Sequence, residues 1–245
     1  MYIDNLILEV TRFCNMNCKH CLRGEKQRKK FNTSMLENIF TNIDYIGVIT
    51  FTGGEPLTQV NTIIETLDYI ERHNISVGAF YIVTNGTIYS PKLMKALKYF
   101  YDNVMLEKEL CGFEVSQDIY HDAVYYEREN NLYKYQNLKD YYEYDFINLE
   151  GRKKIYSVIL EGRAKENFTD GRKSEFKNGF YNEDSDYYCE NQVYVAANGN
   201  VISNCDLSFE TVDKNSFGNV NNETLRSIID KFTKADDDIQ AVVLQ

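Results

Sequence analysis

The stretch NLILEVTRFCNMNCKHC, residues 5–21, decides how the rest of the chain reads. Its first part, Asn5–Thr11, is apolar and suits a first strand. Its second part places three cysteines, Cys14, Cys18 and Cys21, within eight positions. Such crowding points to a metal rather than to structural thiols. Three thiolates on a tight loop can face one site. A four-iron cubane held by three cysteines keeps one iron without a protein ligand, so that iron can take up another molecule. Zinc is the competing reading, but structural zinc asks for four ligands. His20 could supply the fourth, though it is wedged between two of the cysteines.

Outward from this stretch, short apolar runs alternate with helical patterns. Ser34–Ile43 reads as a helix, Ile46–Thr52 as a strand and Leu57–Arg72 as a helix. Val77–Thr84 is a third strand, ended by Asn85-Gly86. Ser90 is placed to cap a helix with Pro91 at its first position, running to about Tyr101. Gly112–Gln117 reads as a fourth strand and Ile155–Leu160 as a fifth. Alternation of this kind builds βαβ units and a parallel sheet. Right-handed crossovers then bring the loops after the strands to one face, where such folds carry their chemistry. The Tyr-rich stretch from Tyr120 to Tyr144 reads as a helix with an aromatic core face, or as the lining of a cavity. From about residue 178 the pattern changes. Val193–Ala197 and Val201–Ser203 flank Asn198-Gly199-Asn200, a hairpin signature, and Leu225–Phe232 reads as a last amphipathic helix.

Composition bounds the function. The chain has 245 residues, 43% hydrophobic and 26% charged, as expected of a globular protein with one sizeable core. A net charge of −10 argues against a broad nucleic-acid surface. One local exception is Lys26-Gln27-Arg28-Lys29-Lys30, which is either a solvated loop or a docking patch for an anionic substrate. No apolar run reaches membrane-span length, and the N-terminus lacks a signal-peptide pattern. These features place the protein in the cytoplasm, where six cysteines are not naturally read as disulfides.

A second motif, Thr52-Gly53-Gly54-Glu55-Pro56, ends the second strand. Two glycines permit close backbone approach, and Glu55 adds an acceptor suited to a cationic amine. A tight strand-to-helix turn would use the same residues. Taken together, the Cys-x3-Cys-x2-Cys loop and this Gly-Gly-Glu-Pro turn resemble the signatures of the radical S-adenosylmethionine (SAM) superfamily. The resemblance covers roughly residues 4–165 and implies a partial (β/α)6 TIM-like barrel, although a sixth strand is not evident. It implies a [4Fe–4S] cluster on Cys14, Cys18 and Cys21, whose open iron chelates SAM. It places His20, where an aromatic residue is usual, beside the adenine, and Gly53, Gly54 and Glu55 at the methionyl amino group.

Further matches follow in order. Asn85 ends the third strand as in many members. Ser116 and Asp118 end the fourth, and would bond the ribose or the methionyl carboxylate, or else form a capping turn. Arg163, after Gly162, suits a carboxylate through its planar fork or is a plain surface arginine. His121 is a substrate-side or a structural residue, and His73 reads as structural. Residues 1–177 are then the catalytic core, and 178–245 resemble a SPASM or Twitch extension. That likeness departs from the pattern: the Gly199-to-Cys205 interval is one residue longer, and no cysteine follows Cys205. Cys189 and Cys205 cannot hold a cubane unaided, and Cys111 belongs at the far end of the sheet. The extension is expected to have kept the fold and lost the metal.

The implied chemistry is reductive cleavage of SAM to a 5′-deoxyadenosyl radical that abstracts a substrate hydrogen. It needs an external one-electron donor of the flavodoxin or ferredoxin type. The substrate reading is a peptide or protein, from the extension; a small molecule or nucleoside is the alternative. Against the first, the cluster motif begins at residue 14, which leaves no room before it for a leader-binding domain. A non-catalytic iron–sulfur or zinc module is a third reading. No residue stands out as the acid, base or radical relay of the second half-reaction.

Overall fold

The computed structural model describes residues 1–118, 120–121, 125–149, 158–181, 188–234 and 238–244. In chain order the elements are β1 Tyr2–Thr11, α1 Leu36–Phe40, β2 Tyr45–Gly53, α2 Val60–Arg72, β3 Ser76–Thr84, α3 Pro91–Asn103, β4 Gly112–Val115, α4 Tyr125–Tyr142 and β5 Ile147–Asn148. Next come α5 Gly162–Asn167, β6 Glu175–Lys177, β7 Phe180–Tyr181, β8 Tyr188–Val195, β9 Asn200–Ile202, α6 Phe209–Lys214, β10 Gly218–Asn219, α7 Leu225–Phe232, β11 Thr233–Lys234 and β12 Ala241–Val243.

The main sheet runs β10-β9-β8-β1-β2-β3-β4-β5. Strands β1 to β5 pair in parallel, as the alternation of strands and helices requires. Among the described residues the sheet does not close into a barrel. Strand β1 is central, and Leu6, Leu8 and Val10 are fully buried with Ile7 nearly so. Burial on both faces explains why it reads as a continuous apolar run rather than an alternating one. Helix α2 lays Ile63, Leu67 and Ile70 on the core, and Ser90 caps α3 by accepting from the Leu93 N–H.

The C-terminal segment joins this same sheet. Strand β8 pairs in parallel with β1, opposite β2, and β8 turns through Asn198-Gly199 into antiparallel β9. Helix α7 buries Leu225, Ile228 and Ile229 in the same core.

Several expectations shift. The helix expected over 34–43 is a 3-10 turn followed by the short α1, because Thr41 is extended and Asn42 takes a positive φ of 62°. Helix α2 likewise begins with a 3-10 turn over Pro56–Gln59. A short strand that the sequence did not suggest, Ile147–Asn148, pairs in parallel with β4. Of the strand expected over 155–160, residues 155–157 lie outside the described residues, and Ile159 makes only an isolated bridge to Arg172. The Tyr-rich stretch is helix α4, but its aromatic core face is thin. Tyr135 is buried and donates to the Ile88 carbonyl, while Tyr133, Tyr141 and Tyr142 face solvent. Among the described residues, no helix is long and apolar enough to cross a membrane.

Candidate active site

The parallel strands bring four loops to one edge of the sheet: the cysteine loop after β1, the Gly-Gly-Glu-Pro turn after β2, Thr84-Asn85-Gly86 after β3, and Ser116 after β4. Between them lies a cavity of about 280 Å³, lined by Cys14, Cys18, Cys21, His20, Gly54, Glu55, Asn85 and Ser116 together with apolar Met16, Leu22, Pro56 and Val83.

The two motifs are built against each other. The Gly54 N–H donates to the Thr11 carbonyl at 2.8 Å, and the Glu55 N–H to the Phe13 carbonyl at 2.8 Å. Gly53 has a φ of 150°, and a Cβ there would run into the Thr11 carbonyl. A Cβ on Gly54 would strike the Phe13 carbonyl and press on the Cys14 nitrogen. The close approach that these glycines permit is therefore first to the cysteine loop. Gly53 itself does not line the cavity.

Glu55 is buried at 1% exposure and ties three segments together. Its Oε1 accepts from Thr84 Oγ1 at 2.7 Å and the Leu57 N–H at 3.1 Å, and its Oε2 from the Asn85 N–H at 2.9 Å. Burial pushes its pKa up against these bonds. One acceptor position remains on Oε2. The Asn85 amide bridges to Asn15 Oδ1 at 3.0 Å and comes within 3.9 Å of Cys14 Sγ.

The three thiols crowd one another. Burial raises the Cys18 pKa to about 11, with Cys14 and Cys21 adding to the shift. Cys14 is raised by burial, and Glu55 and Cys21 also act upward on it. Three half-buried sulfurs gathered around one cavity fit a shared cation, which would hold all three as thiolates. Among the described residues no other cysteine lines this cavity: Cys111 is buried at the start of β4, at the opposite end of the sheet, and Cys205 packs with Ile7, Tyr194, Ile202 and Leu207. A donor set of three thiolates fits a cubane with one open iron.

Two expected cofactor contacts sit elsewhere. Arg163 is outside the cavity; its Nε donates to the Cys18 carbonyl at 3.2 Å and a terminal nitrogen to Asn17 Oδ1 at 2.7 Å. The neighbouring Ala164 N–H donates to the Cys21 carbonyl at 3.3 Å. Gly162, at φ 51°, packs on Gly24 with no room for a Cβ. This segment braces the cysteine loop from behind. Asp118 also lies outside the cavity lining. Its carboxylate accepts from the Tyr120 N–H at 2.9 Å and lies 2.8 Å from His121 Nδ1, off the line of a hydrogen bond. Burial opposes its charge, but His121, the Tyr120 N–H and the nearby His20 together outweigh it and the pKa falls. His20 stacks on Tyr120, with centroids 4.2 Å apart, and burial lowers its pKa. His73 stacks on Tyr69 far from the site, a packing role.

Sequence reading passed over Arg12, the residue nearest the loop with a complete ionic shell. It is fully buried. Its Nε donates to Glu9 at 2.7 Å, and its terminal nitrogens make a bidentate pair with Asp213 of α6 at 2.7 and 2.8 Å. Glu9 also accepts from the Tyr194 hydroxyl and from the Ala197 N–H at 3.0 Å. Glu9 in a strand buried on both faces and Arg12 just past its end, three residues on, were the available signal. Arg128, buried on α4, donates to the carbonyls of Ser116 and His121.

The profile of the Radical SAM superfamily matches residues 8–137. Relatives include an uncharacterized protein of Methanocaldococcus jannaschii, 34% identical over 100 residues, or 39% of this chain and 35% of that protein. Radical SAM cyclopropyl synthase TigE of Paramaledivibacter caminithermalis is 32% identical over 117 residues, covering 39% of this chain and 25% of the synthase. The matched region thus spans about a third or less of either relative. The fold resembles solved structures of anSMEcpe. Histidine-tagged anSMEcpe with bound AdoMet has a TM-score of 0.53 at 16% identity, covering 92% of this chain and 77% of that one. Native anSMEcpe with bound AdoMet and Cp18Cys peptide has a TM-score of 0.52 at 16% identity, covering 92% and 79%. With more than half of its length inside the family profile, and three thiols gathered on the loop after its first strand, this chain belongs to the radical SAM superfamily, enzymes whose cofactors are a [4Fe–4S] cluster and AdoMet.

Proposed function

We propose that Cys14, Cys18 and Cys21 hold the [4Fe–4S] cluster and that AdoMet binds in the cavity they share with Gly54, Glu55, Asn85 and Ser116. The observation that carries this is the donor set: three thiols lining one cavity beside a buried carboxylate with one acceptor position left. When bound, the pair supplies one-electron cleavage of AdoMet to methionine and a 5′-deoxyadenosyl radical that takes a hydrogen atom from the substrate. The protein's part is to bind, orient and exclude water. Glu55, fixed by Thr84, Asn85 and Leu57, is a preorganised acceptor for an ammonium group. Asn85 and Ser116 offer side-chain polar groups to the rest of the ligand. His20 presents a ring edge that is held in place by Tyr120. Met16, Leu22, Pro56 and Val83 keep water from a reactive intermediate. Arg163 and Asp118 act from outside, on the cysteine loop and on the turn that carries Tyr120.

The substrate class we favour is a peptide or protein. Support comes from the C-terminal segment, residues 178–245, which we read as a SPASM- or Twitch-like extension whose hairpin is built into the sheet beside β1. The fold is shared with a protein solved with a bound peptide. We read the extension as metal-free, with Cys205 in an apolar cluster and its thiol pKa raised by burial. The electron comes from an external carrier, and the protein works in the cytoplasm.

The deciding experiment measures iron and labile sulfide per chain after anaerobic reconstitution, in wild type and in the Cys14→Ala/Cys18→Ala/Cys21→Ala variant. About four irons in wild type and none in the variant are expected. Iron that survives in the variant places a cluster elsewhere and overturns the assignment. Formation of 5′-deoxyadenosine with peptide pools, and not with metabolite pools, is expected for the substrate class.

A further inference from the structure

We propose that the basic segment Lys26–Lys30, together with Phe13, is the docking surface for an acidic one-electron carrier protein. This rests on the cluster site proposed above.

The first observation is a charge contrast. The chain carries a net charge of −10, yet four of these five residues, Lys26, Arg28, Lys29 and Lys30, are basic. All four are exposed. Among the described residues only Lys29 has an ionic partner, Asp213 at 3.7 Å. Lys26 lies 6.0 Å from the centroid of the Phe13 ring. Arg28 and Lys30 face solvent without a counter-charge among the described residues.

The second observation is rigidity. A solvated loop would be tethered at its ends alone. Here the segment is laced along the last turn of β1. The Gln27 N–H donates to the Arg12 carbonyl at 3.0 Å, the Arg12 N–H to the Lys29 carbonyl at 2.9 Å, and the Phe31 N–H to the Val10 carbonyl at 3.1 Å. Thr11 and Lys30 form an antiparallel bridge. The backbone that carries the charges is therefore fixed to the backbone that leads into Cys14. A fixed positive patch steers an acidic partner and orients it.

The third observation is position. Phe13 precedes Cys14 in sequence and exposes 36% of its surface within the basic patch. An exposed aromatic side chain next to a cation, as Phe13 lies beside Lys26, is a common interface composition. None of the four basic residues lines the cavity that holds the thiols, or the larger polar cleft of about 630 Å³ beside it. A substrate gripped by these side chains would thus sit outside the reaction cavity. A partner that only has to come near the cluster edge would sit where its task requires. The step it performs is simple in balance. The reduced carrier loses one electron and the cluster gains it, with no bond broken and no proton moved.

The test uses the reconstituted enzyme, wild type and Lys26→Glu/Arg28→Glu/Lys30→Glu, with purified flavodoxin as the carrier. Lys29 is left in place because it contacts Asp213. Binding is measured by calorimetry across a salt series, and 5′-deoxyadenosine formation is measured with reduced flavodoxin and, separately, with dithionite. The variant is expected to bind flavodoxin about ten-fold or more weakly at low salt and to lose most of the salt dependence. Iron content and dithionite-driven cleavage should not change. Wild-type affinity for flavodoxin in the variant overturns the proposal. So does a variant that keeps flavodoxin binding and loses affinity for a poly-glutamate peptide, which would make the patch a substrate dock. If dithionite drives no cleavage in wild type while flavodoxin binding still depends on these charges, the cluster reading fails and the docking surface stands.

Discussion

The cysteine loop is gripped from two sides, by the Gly-Gly-Glu-Pro turn after β2 and by the extension that arrives through β8 and α6, and the two grips differ in chemistry. On the β2 side the contacts are between backbones: Gly54 N–H to Thr11 O and Glu55 N–H to Phe13 O, both at 2.8 Å. They work because two residues lack a side chain. On the β8 side the contacts are charged: buried Arg12 held by Glu9 and by Asp213, whose Oδ1 also accepts from Asn198 at 2.8 Å and Asn200 at 3.0 Å. A backbone contact leaves no slack, so a steric error displaces the loop. An ionic contact tolerates change in shape but not in charge.

The largest effect should therefore come from Gly54→Val. Its Cβ meets backbone atoms of Phe13 and Cys14, which cannot rotate away. Overpacking of this kind costs about 1–3 kcal/mol, and here the cost falls on the loop itself. Most iron loading should be lost after reconstitution, with a lowered Tm. Full loading would mean that the β2 grip is not the tight one.

Asp213→Asn should do less to the cluster and more to the fold. It leaves the Arg12 guanidinium buried with one carboxylate where it had two. A loss of about 1–3 kcal/mol is expected in urea unfolding, with iron content near wild type. If iron falls as far as in Gly54→Val, the two grips are not distinct.

The smallest effect is a pH dependence. Burial opposes the Asp213 charge, but the Arg12 and Asn198 hydrogen bonds and the Arg12 charge bring its pKa down to about 2. A depressed carboxyl stabilises the fold above its unfolded pKa of about 3.9 and loses that contribution as pH falls through the folded value. The stability gap between wild type and Asp213→Asn should thus shrink between about pH 4 and pH 2. A gap that stays constant would remove the ionic character from the β8 grip.

Much of the β2 side was legible in sequence, because its determinants are local. Each motif is compact, with the three cysteines inside eight positions and Glu55 directly after the paired glycines, and each stands at the end of an apolar run. The same runs order β1 to β4. Strand β5 was not legible because it has only two residues, Ile147 and Asn148, behind a helix whose tyrosines mask the change of period. Ser116 and Asp118, two residues apart, were read together. The structure separates them: Ser116 lines the cavity, while Asp118 lies outside its lining and accepts from the Tyr120 N–H.

By itself the sequence determined the parallel βαβ order, the three-cysteine loop and the family to which they belong, since each depends on residues close in the chain. Tertiary structure alone decided that Arg163 braces the cysteine loop from outside the cavity, that the C-terminal hairpin extends the sheet beside β1, and that Arg12 meets Asp213 across 201 positions. Those outcomes depend on which elements pack together. A charge can show that it needs a partner, but only the packed chain brings that partner within 3 Å.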